Sequence, residues 1–183
     1  MLREMLSVIV SAIGNFFSYI ILLRLIMIHL NMSFHSPIGL FILSVSNPLV
    51  TKIRRVIPPL GKMGAGIAAV FIVTIAQGTI LALINMGNIA EISIAQLMLA
   101  SVCKIAFLLT EIYIFSTIAY SILSWISPRN QTLPFFMTIV RPAILTIRKF
   151  VNPIANIDIS PLLLLLVLNI ILVPLRLYIP SWW

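Results

Sequence analysis

An internal repeat constrains the fold of this chain more than any other feature of its sequence. Pro48 and Pro142 begin two similar stretches, and they lie 142 − 48 = 94 residues apart. Pro59 and Pro153 close the same stretches with the same offset, 153 − 59 = 94. A constant offset between two proline-bounded stretches predicts a tandem duplication.

Each copy of the repeat carries a pair of basic residues at the same position. Arg54 and Arg55 in the first copy correspond to Arg148 and Lys149 in the second. Very apolar segments flank both basic stretches. The chain is therefore predicted to contain repeat 1 over residues 1–90 and repeat 2 over residues 91–183, each with a span, a basic amphipathic segment and a second span.

The apolar segments point to a lipid environment. Only 9% of the residues are charged and 61% are hydrophobic, whereas about a quarter of a soluble domain is charged. A helix needs about 20 apolar residues to cross a bilayer. Four segments meet that length, at about residues 6–30, 67–84, 95–126 and 160–178.

The first and last spans have recognisable ends. The apolar run over residues 5–23 is longer than the core of a signal peptide and lacks a small-residue cleavage site after it, so an uncleaved span is predicted. Arg24 near its end has a side chain long enough to reach the headgroups. Ser160 and Pro161 suit the N-cap and first position of the last span, where Asp158 favours the positive helix end.

Prolines and glycines in and around the basic stretches predict where helices begin and end. Short helices are predicted to begin at Ser36-Pro37 and at Leu133-Pro134, because proline fits the first turn of a helix. Pro48 and Pro142 are each predicted to break that helix and to start a second, basic one lying in the membrane interface. Turn residues are predicted after the first basic stretch, at Gly61, Gly64 and Gly66.

The distribution of basic residues predicts the orientation. Both basic loops contain several lysines and arginines, whereas residues 85–94 contain none. The positive-inside rule then places both basic loops in the cytoplasm and both termini outside. The predicted fold is an all-α membrane protein with four transmembrane helices, short interfacial amphipathic helices and two parallel tandem repeats.

The residues that usually carry chemistry are sparse. The chain has four acidic residues, and none forms a close pair at helical spacing. His29 and His35 near a predicted interface are read as interfacial polar residues rather than as haem or metal ligands. Cys103, the only cysteine, suits a buried apolar position. No enzymatic activity, cofactor or metal site is predicted, and the basic residues beside membrane segments do not indicate a nucleic-acid partner.

Lys104 and Glu111 are the candidates for a polar site within the membrane. They are seven residues apart, so they share a face of the third span. Ionisable groups within a span are costly and usually face a bundle interior or water. Glu111 is therefore a candidate ion or proton site. The alternative is that Lys104 reaches the outer interface and Glu111 bonds to a neighbouring helix.

The basic stretches also have two interpretations. One is topology and attraction to anionic headgroups, worth about 1 kcal/mol for each basic residue. The other is docking of a specific lipid or of a membrane protein partner, including a second copy of the chain. Both interpretations make the lipid bilayer and its anionic headgroups partners of this protein.

With both copies laid out, the chain resembles the YggT family of small bacterial membrane proteins, which extends to chloroplasts. The family pattern is a proline, a basic pair, hydrophobic residues, a proline, a glycine and an Asp-hydrophobic-Ser-Pro element. The matching positions are Pro48, Arg54, Arg55, Pro59 and Gly61 in copy one, and Pro142, Arg148, Lys149, Pro153, Asp158, Ser160 and Pro161 in copy two. The resemblance covers nearly the whole chain.

Both copies depart from the pattern. Copy one has Gly64 and Gly66 where the pattern has Asp and Ser, and copy two has Asn152 for the first proline and Ala155 for the glycine. Any function tied to the Asp-x-Ser-Pro element therefore falls on copy two alone.

The resemblance implies a multi-pass protein of the bacterial inner membrane without established chemistry. Members of the family are linked to osmotic or potassium stress, to cell division and envelope shape, and to cytochrome maturation in chloroplasts. A non-enzymatic scaffold or assembly factor of the cell envelope is the leading expectation. The alternative is an ion transport component or small channel subunit that uses Glu111.

Overall fold

The computed structural model describes residues 1–56, 61–87, 93–149 and 159–183. These residues form six helices and no strand: α1 (Leu2–His29), α2 (Pro37–Val56), α3 (Gly61–Met86), α4 (Ile94–Ile126), α5 (Leu133–Arg148) and α6 (Ser160–Leu177). Helices α1, α3, α4 and α6 are long and apolar enough to cross a membrane. The predicted all-α membrane fold with four spans is confirmed. The predicted boundary between residues 90 and 91 lies outside the described residues.

The chain divides into two compact units. Unit 1 consists of Met1–Leu109 and Leu175–Trp183, and unit 2 consists of Thr110–Pro174. In unit 1, α1 packs along α3, and α2 packs against both. Its core is made of large aliphatic side chains from these three helices, namely Ile21, Leu22, Met27, Ile42, Val50, Val70 and Leu81.

Unit 2 has a smaller core in which α5 meets α6. Val140 and Ile144 of α5 are buried together with Leu164 of α6, and Tyr120 of α4 packs against them. Phe136 of α5 lies edge-on to the ring of Phe115 of α4, with 6.0 Å between centroids. These contacts fix the amphipathic helix α5 against the end of α4.

The apolar side chains outside the two cores match a lipid-facing surface. The first half of α1 exposes Met5, Val8, Ile9 and Ile13, while its buried residues lie between Ser18 and Met27. Exposed side chains on a helix of this hydrophobicity would be unfavourable in water. Hydrocarbon solvates them, so the first half of α1 suits a bilayer.

The predicted helix breaks at Pro48 and Pro142 are wrong. Each proline lies inside one continuous helix, α2 or α5. Proline in a helix interior costs about 3 kcal/mol because it removes one backbone hydrogen bond and crowds the preceding turn. In α2, Ile42 before the proline and Val50 after it are both buried on one face. Burial along that uninterrupted face offsets the cost of the proline.

The predicted glycine turn is only partly correct. Gly61 has φ of +62°, a backbone conformation that favours glycine. Gly64 and Gly66, however, lie in the first two turns of α3. A Cβ atom at Gly66 would lie 2.6 Å from Cδ2 of Leu25 in α1, so this glycine packs against the end of the Leu25 side chain.

Candidate functional site

Helix α2 is attached to α1 by a buried arginine. The Arg24 side chain is only 9% exposed. Its Nη1 donates hydrogen bonds to Oγ of Ser46 at 2.9 Å and to Oδ1 of Asn47 at 2.8 Å. Ser46 in turn donates to the carbonyl of Ile42 at 2.6 Å. The two acceptors directly precede Pro48, so this contact holds α2 at its proline.

The expectation that Arg24 reaches the lipid headgroups is wrong. The side chain is buried between helices, since α2 brings two polar acceptors within reach. A charge within a span is expected to pair with polar groups, and the sequence Ser46-Asn47 before Pro48 was the available signal. Whether Ser46 and Asn47 face Arg24 depends on how α2 packs against α1, which the sequence pattern did not show.

Copy two has isoleucine at the position equivalent to Arg24, and it has an arginine on the amphipathic helix instead. With the offset of 94 residues, Arg24 corresponds to Ile118 on α4, and Asn47 corresponds to Arg141 on α5. The side chain of Ile118 is 42% exposed, in contrast to the buried Arg24. The attachment of the amphipathic helix by a buried arginine is therefore specific to copy one.

The predicted basic pairs lie at equivalent ends of the two amphipathic helices. Arg54 and Arg55 occupy the last turn of α2, and Arg148 and Lys149 end α5. All four side chains are exposed. Positive charge is favourable near the C-terminus of a helix because the backbone dipoles leave negative partial charge there. Each copy thus presents a basic helix end, fixed by an apolar face on the same helix.

The structure describes only some of the remaining predicted motif residues. Pro48 and Pro142 lie within their helices, and Gly61 begins α3. Helix α6 begins at Ser160, so Ser160 and Pro161 are its first two residues, each one position further into the helix than predicted, and Ser160 is buried. Three further motif positions lie outside the described residues, namely Pro59, Pro153 and Asp158.

The candidate intramembrane residues both lie on α4. Lys104 is 9% exposed, and its Nζ lies 5.8 Å from the centroid of the Phe107 ring, within the range of a cation–π interaction. Glu111 is half-buried. These positions within a helix long enough to span the membrane keep both residues as candidates for a polar site.

Other polar side chains in the spans make structural hydrogen bonds. Nε2 of Gln77 in α3 donates to Oδ1 of Asn15 and to the carbonyl of Ser11, both in α1. Gln77 therefore joins α3 to α1. Asn169 of α6 donates to the carbonyl of Leu165 in its own helix.

The candidate metal ligands do not gather in the part of the chain that the structure describes. No group of three histidine, cysteine, aspartate or glutamate side chains occurs there that could hold a metal ion. His35 shares a hydrogen bond with Oγ of Ser33 at 3.0 Å.

A cavity in unit 2 lies beside the basic face of α5. Its volume is about 250 Å³. The residues that line it are Tyr120, Met137, Arg141, Ile144, Leu145 and Arg148. Arg141 and Arg148 are seven residues apart on one helix, so they share a face about 10 Å apart along the axis. Sequence reasoning named Arg148 but missed Arg141 and Tyr120 as site residues.

Four spans, two amphipathic helices with basic ends and a sequence repeat define a multi-pass α-helical membrane protein built from tandem copies. The CCB3/YggT family model matches residues 4–84 and again residues 99–179. The chain belongs to this family, and the match in two segments confirms the predicted tandem repeat.

The chain is also similar to three curated proteins. “Uncharacterized protein PA0392” of Pseudomonas aeruginosa is 29% identical over 89% of this chain and 84% of its own length. “Uncharacterized protein YggT” of Escherichia coli K12 is 23% identical over 91% of this chain and 86% of its own length. “Uncharacterized protein in proC 3'region” of Vibrio alginolyticus is 23% identical over 87% and 86%. No solved structure matches the chain.

Proposed function

We propose that this chain is a non-enzymatic scaffold or assembly factor of the bacterial cell envelope, resident in the inner membrane. Its working surfaces are the exposed basic ends of α2 and α5. The observation that carries this proposal is that the two repeats present equivalent basic pairs at the ends of equivalent amphipathic helices. Such a surface suits an acidic segment of a membrane protein partner.

The packing of each amphipathic helix supports a docking function. Val50 of α2 and Ile144 of α5 occupy equivalent positions, because 144 − 50 = 94, and both are buried. Arg54 and Arg148, four residues later in each helix, are exposed. A fixed helix loses little conformational freedom when it binds, which favours affinity. A segment needed only for topology would not require this fixed geometry.

The proposed orientation places both basic helix ends in the cytoplasm and both termini outside. It follows from the positive-inside rule, which concerns lysines and arginines close to the ends of spans. Arg54, Arg55, Arg148 and Lys149 all lie in the two long connections between spans. A cytoplasmic partner or a cytoplasmic segment of a membrane protein is therefore expected.

Photo-cross-linking in membranes tests the docking surface. A photo-reactive residue replaces Lys52 of α2 or, in a separate variant, its equivalent Thr146 of α5 (146 − 52 = 94), both of which are exposed. We expect one cross-linked species that recurs from both positions. Changing Arg54, Arg55, Arg148 and Lys149 together to glutamine should lower its yield by at least about tenfold. Each basic end loses two charged contacts worth roughly 1 kcal/mol each, and tenfold corresponds to about 1.4 kcal/mol.

Two controls make this experiment decisive. Insertion and topology of the glutamine variant are verified by the accessibility of Cys103 and of introduced cysteines. Changing Arg129, an exposed basic residue in the connection before α5, to glutamine should leave the yield within about twofold of the wild type. Equal yields from wild type and the fourfold variant would show that the basic ends do not dock a partner.

An ion transport component is the second candidate function. The observation in its favour is the burial of Lys104 on the same spanning helix as the half-buried Glu111. Buried ionisable groups in spans often mark ion or proton pathways. The repeat offers no counterpart, because Glu111 corresponds to Phe17 (111 − 94 = 17). Ion flux that depends on Glu111 would distinguish this function from a scaffold.

A further inference from the structure

We propose that the cavity beside α5 binds the phosphate group of an anionic phospholipid, with Arg141 as its main ligand. This inference rests on the proposed function, because it assigns a partner to the basic face of copy two. The residue of copy one at the equivalent position is Asn47 (141 − 94 = 47), which accepts a hydrogen bond from Arg24 within the protein.

The charges that line the cavity favour an anion. Residues 127–149 contain four basic residues, namely Arg129, Arg141, Arg148 and Lys149, and no acidic residue. Two of these arginines share the wall of the cavity. Guanidinium groups bind phosphate oxygens in a bidentate manner.

The position of the cavity favours a lipid over a free anion. Tyr120 lies 126 − 120 = 6 residues before the end of α4, which is about 9 Å along the helix axis. The cavity is thus near one end of a spanning helix, where headgroups lie. The phenol of Tyr120 offers a hydroxyl that can donate to a phosphate oxygen.

The apolar walls of the cavity suit the rest of the lipid. Ile144 is buried at the base of α5, whereas Met137 and Leu145 are exposed on either side of Arg141. The volume of about 250 Å³ is below the range of about 300–1,000 Å³ for typical ligand pockets. It therefore suits a headgroup phosphate, with the acyl chains lying outside against the exposed apolar side chains.

Comparison of the two copies shows why the site is found in copy two. In copy one the guanidinium belongs to Arg24, whose Nη1 is engaged by Ser46 and Asn47 within the protein. In copy two the equivalents of those acceptors are Val140 and Arg141. Arg141 thus stands on the amphipathic helix at the position of the acceptor Asn47, and it lines the cavity.

Native mass spectrometry of the detergent-solubilised full chain tests this site. The protein is titrated with phosphatidylglycerol and, separately, with phosphatidylcholine of the same acyl chains. We expect saturable binding of one phosphatidylglycerol, at least about tenfold tighter than phosphatidylcholine. Arg141→Gln should weaken phosphatidylglycerol binding about tenfold, because a bidentate charged contact is lost.

Matched variants distinguish lipid binding at the cavity from a general effect of positive charge on lipid binding. Arg129→Gln removes the same charge from the same unit and should change binding by less than about twofold. Arg141→Lys keeps the charge but not the planar guanidinium, so an intermediate loss is expected. Tyr120→Phe leaves every charge in place and should also weaken binding. This variant serves as the test if Arg141→Gln does not fold. Equal effects of Arg129→Gln and Arg141→Gln would overturn the site.

Further outcomes show whether the ligand is a lipid or free phosphate, and they distinguish failure of this inference from failure of the scaffold function. Saturable binding of inorganic phosphate that Arg141→Gln abolishes, without preference for phosphatidylglycerol, would overturn the lipid assignment. Absence of lipid preference with the cross-links to a partner retained would contradict this inference but not the scaffold. Lipid binding with no partner cross-links would contradict the scaffold instead.

Discussion

Removing the two acceptors of Arg24 is expected to cost about 3 kcal/mol of the free energy of unfolding. In the Ser46→Ala, Asn47→Ala variant the buried guanidinium keeps its charge but loses both hydrogen bonds. A hydrogen bond to a charged group is worth about 1.5–3 kcal/mol, and an unpaired buried charge is costlier still. Denaturant titration in mixed micelles, followed by circular dichroism, measures the change.

A third substitution should reverse most of this loss. Arg24→Ile introduces the residue that copy two has at the equivalent position, Ile118. Replacing a buried charge and its partners by apolar groups is often neutral or stabilising, so about 2 kcal/mol should return. Ser44→Ala, on the same helix, should cost less than about 0.5 kcal/mol, since its Oγ bonds only within an exposed turn. If Arg24→Ile destabilises the double variant further, Arg24 does not act through these acceptors.

The second large effect is expected at the start of α2. A Cβ atom at Gly39 would lie 2.8 Å from Cα and 2.9 Å from the carbonyl carbon and oxygen of Phe34. These are backbone atoms, so the chain itself must shift. Gly39→Ala should therefore destabilise by about 2 kcal/mol despite the better helix propensity of alanine. The melting temperature should fall by about 4–8 °C.

Labelling of the single cysteine measures the thermal unfolding of the Gly39→Ala variant, and Gly66→Ala is the control variant. Cys103 is half-buried, so its reaction with a thiol-reactive dye during heating reports unfolding in detergent. At Gly66 a new Cβ would meet Cδ2 at the flexible end of the Leu25 side chain, which can move. Gly66→Ala should therefore stay within about 1 kcal/mol of the wild type. Equal destabilisation at both glycines would show that the close approach to Phe34 has no particular cost.

The four spans could be predicted from sequence because each is a run of apolar residues long enough to cross a bilayer. The starts of two helices, one of them a span, also carry clear local signals. Ser160-Pro161 marks the start of α6, and Ser36-Pro37 marks the start of α2, where Oγ of Ser36 accepts a hydrogen bond from the backbone of Gly39. Pro48 and Pro142 carry an equally strong local signal, yet the helices continue through them. Burial of Ile42 and Val50 on one face is a tertiary effect that a local rule does not include.

The candidate site was predictable where it repeats and not where the copies differ. The constant offset identified the basic pairs, such as Arg54 and Arg148, without knowledge of the packing. Arg24 and Arg141 fall at non-equivalent positions, so the repeat could not identify them. Their environments depend on which residues of the neighbouring helix face them, and that is fixed by packing.

The two amphipathic helices differ in the way that each is held. Helix α2 is held by an internal polar contact from Arg24, and its basic end is exposed. Helix α5 is held by apolar packing of Val140 and Ile144, which leaves Arg141 beside a cavity. With an arginine at position 24 in copy one and at position 141 in copy two, one copy could serve as the fixed platform proposed above and the other copy could bind the lipid.

Ion flux in proteoliposomes is the most direct test of a scaffold against a transport protein. Potassium and proton flux are measured for the wild type and for Glu111→Gln, with folding and insertion verified for both and an ionophore as positive control. A scaffold predicts flux equal to that of protein-free liposomes for both proteins. Flux through the wild type that Glu111→Gln abolishes would contradict the scaffold and place the function in α4.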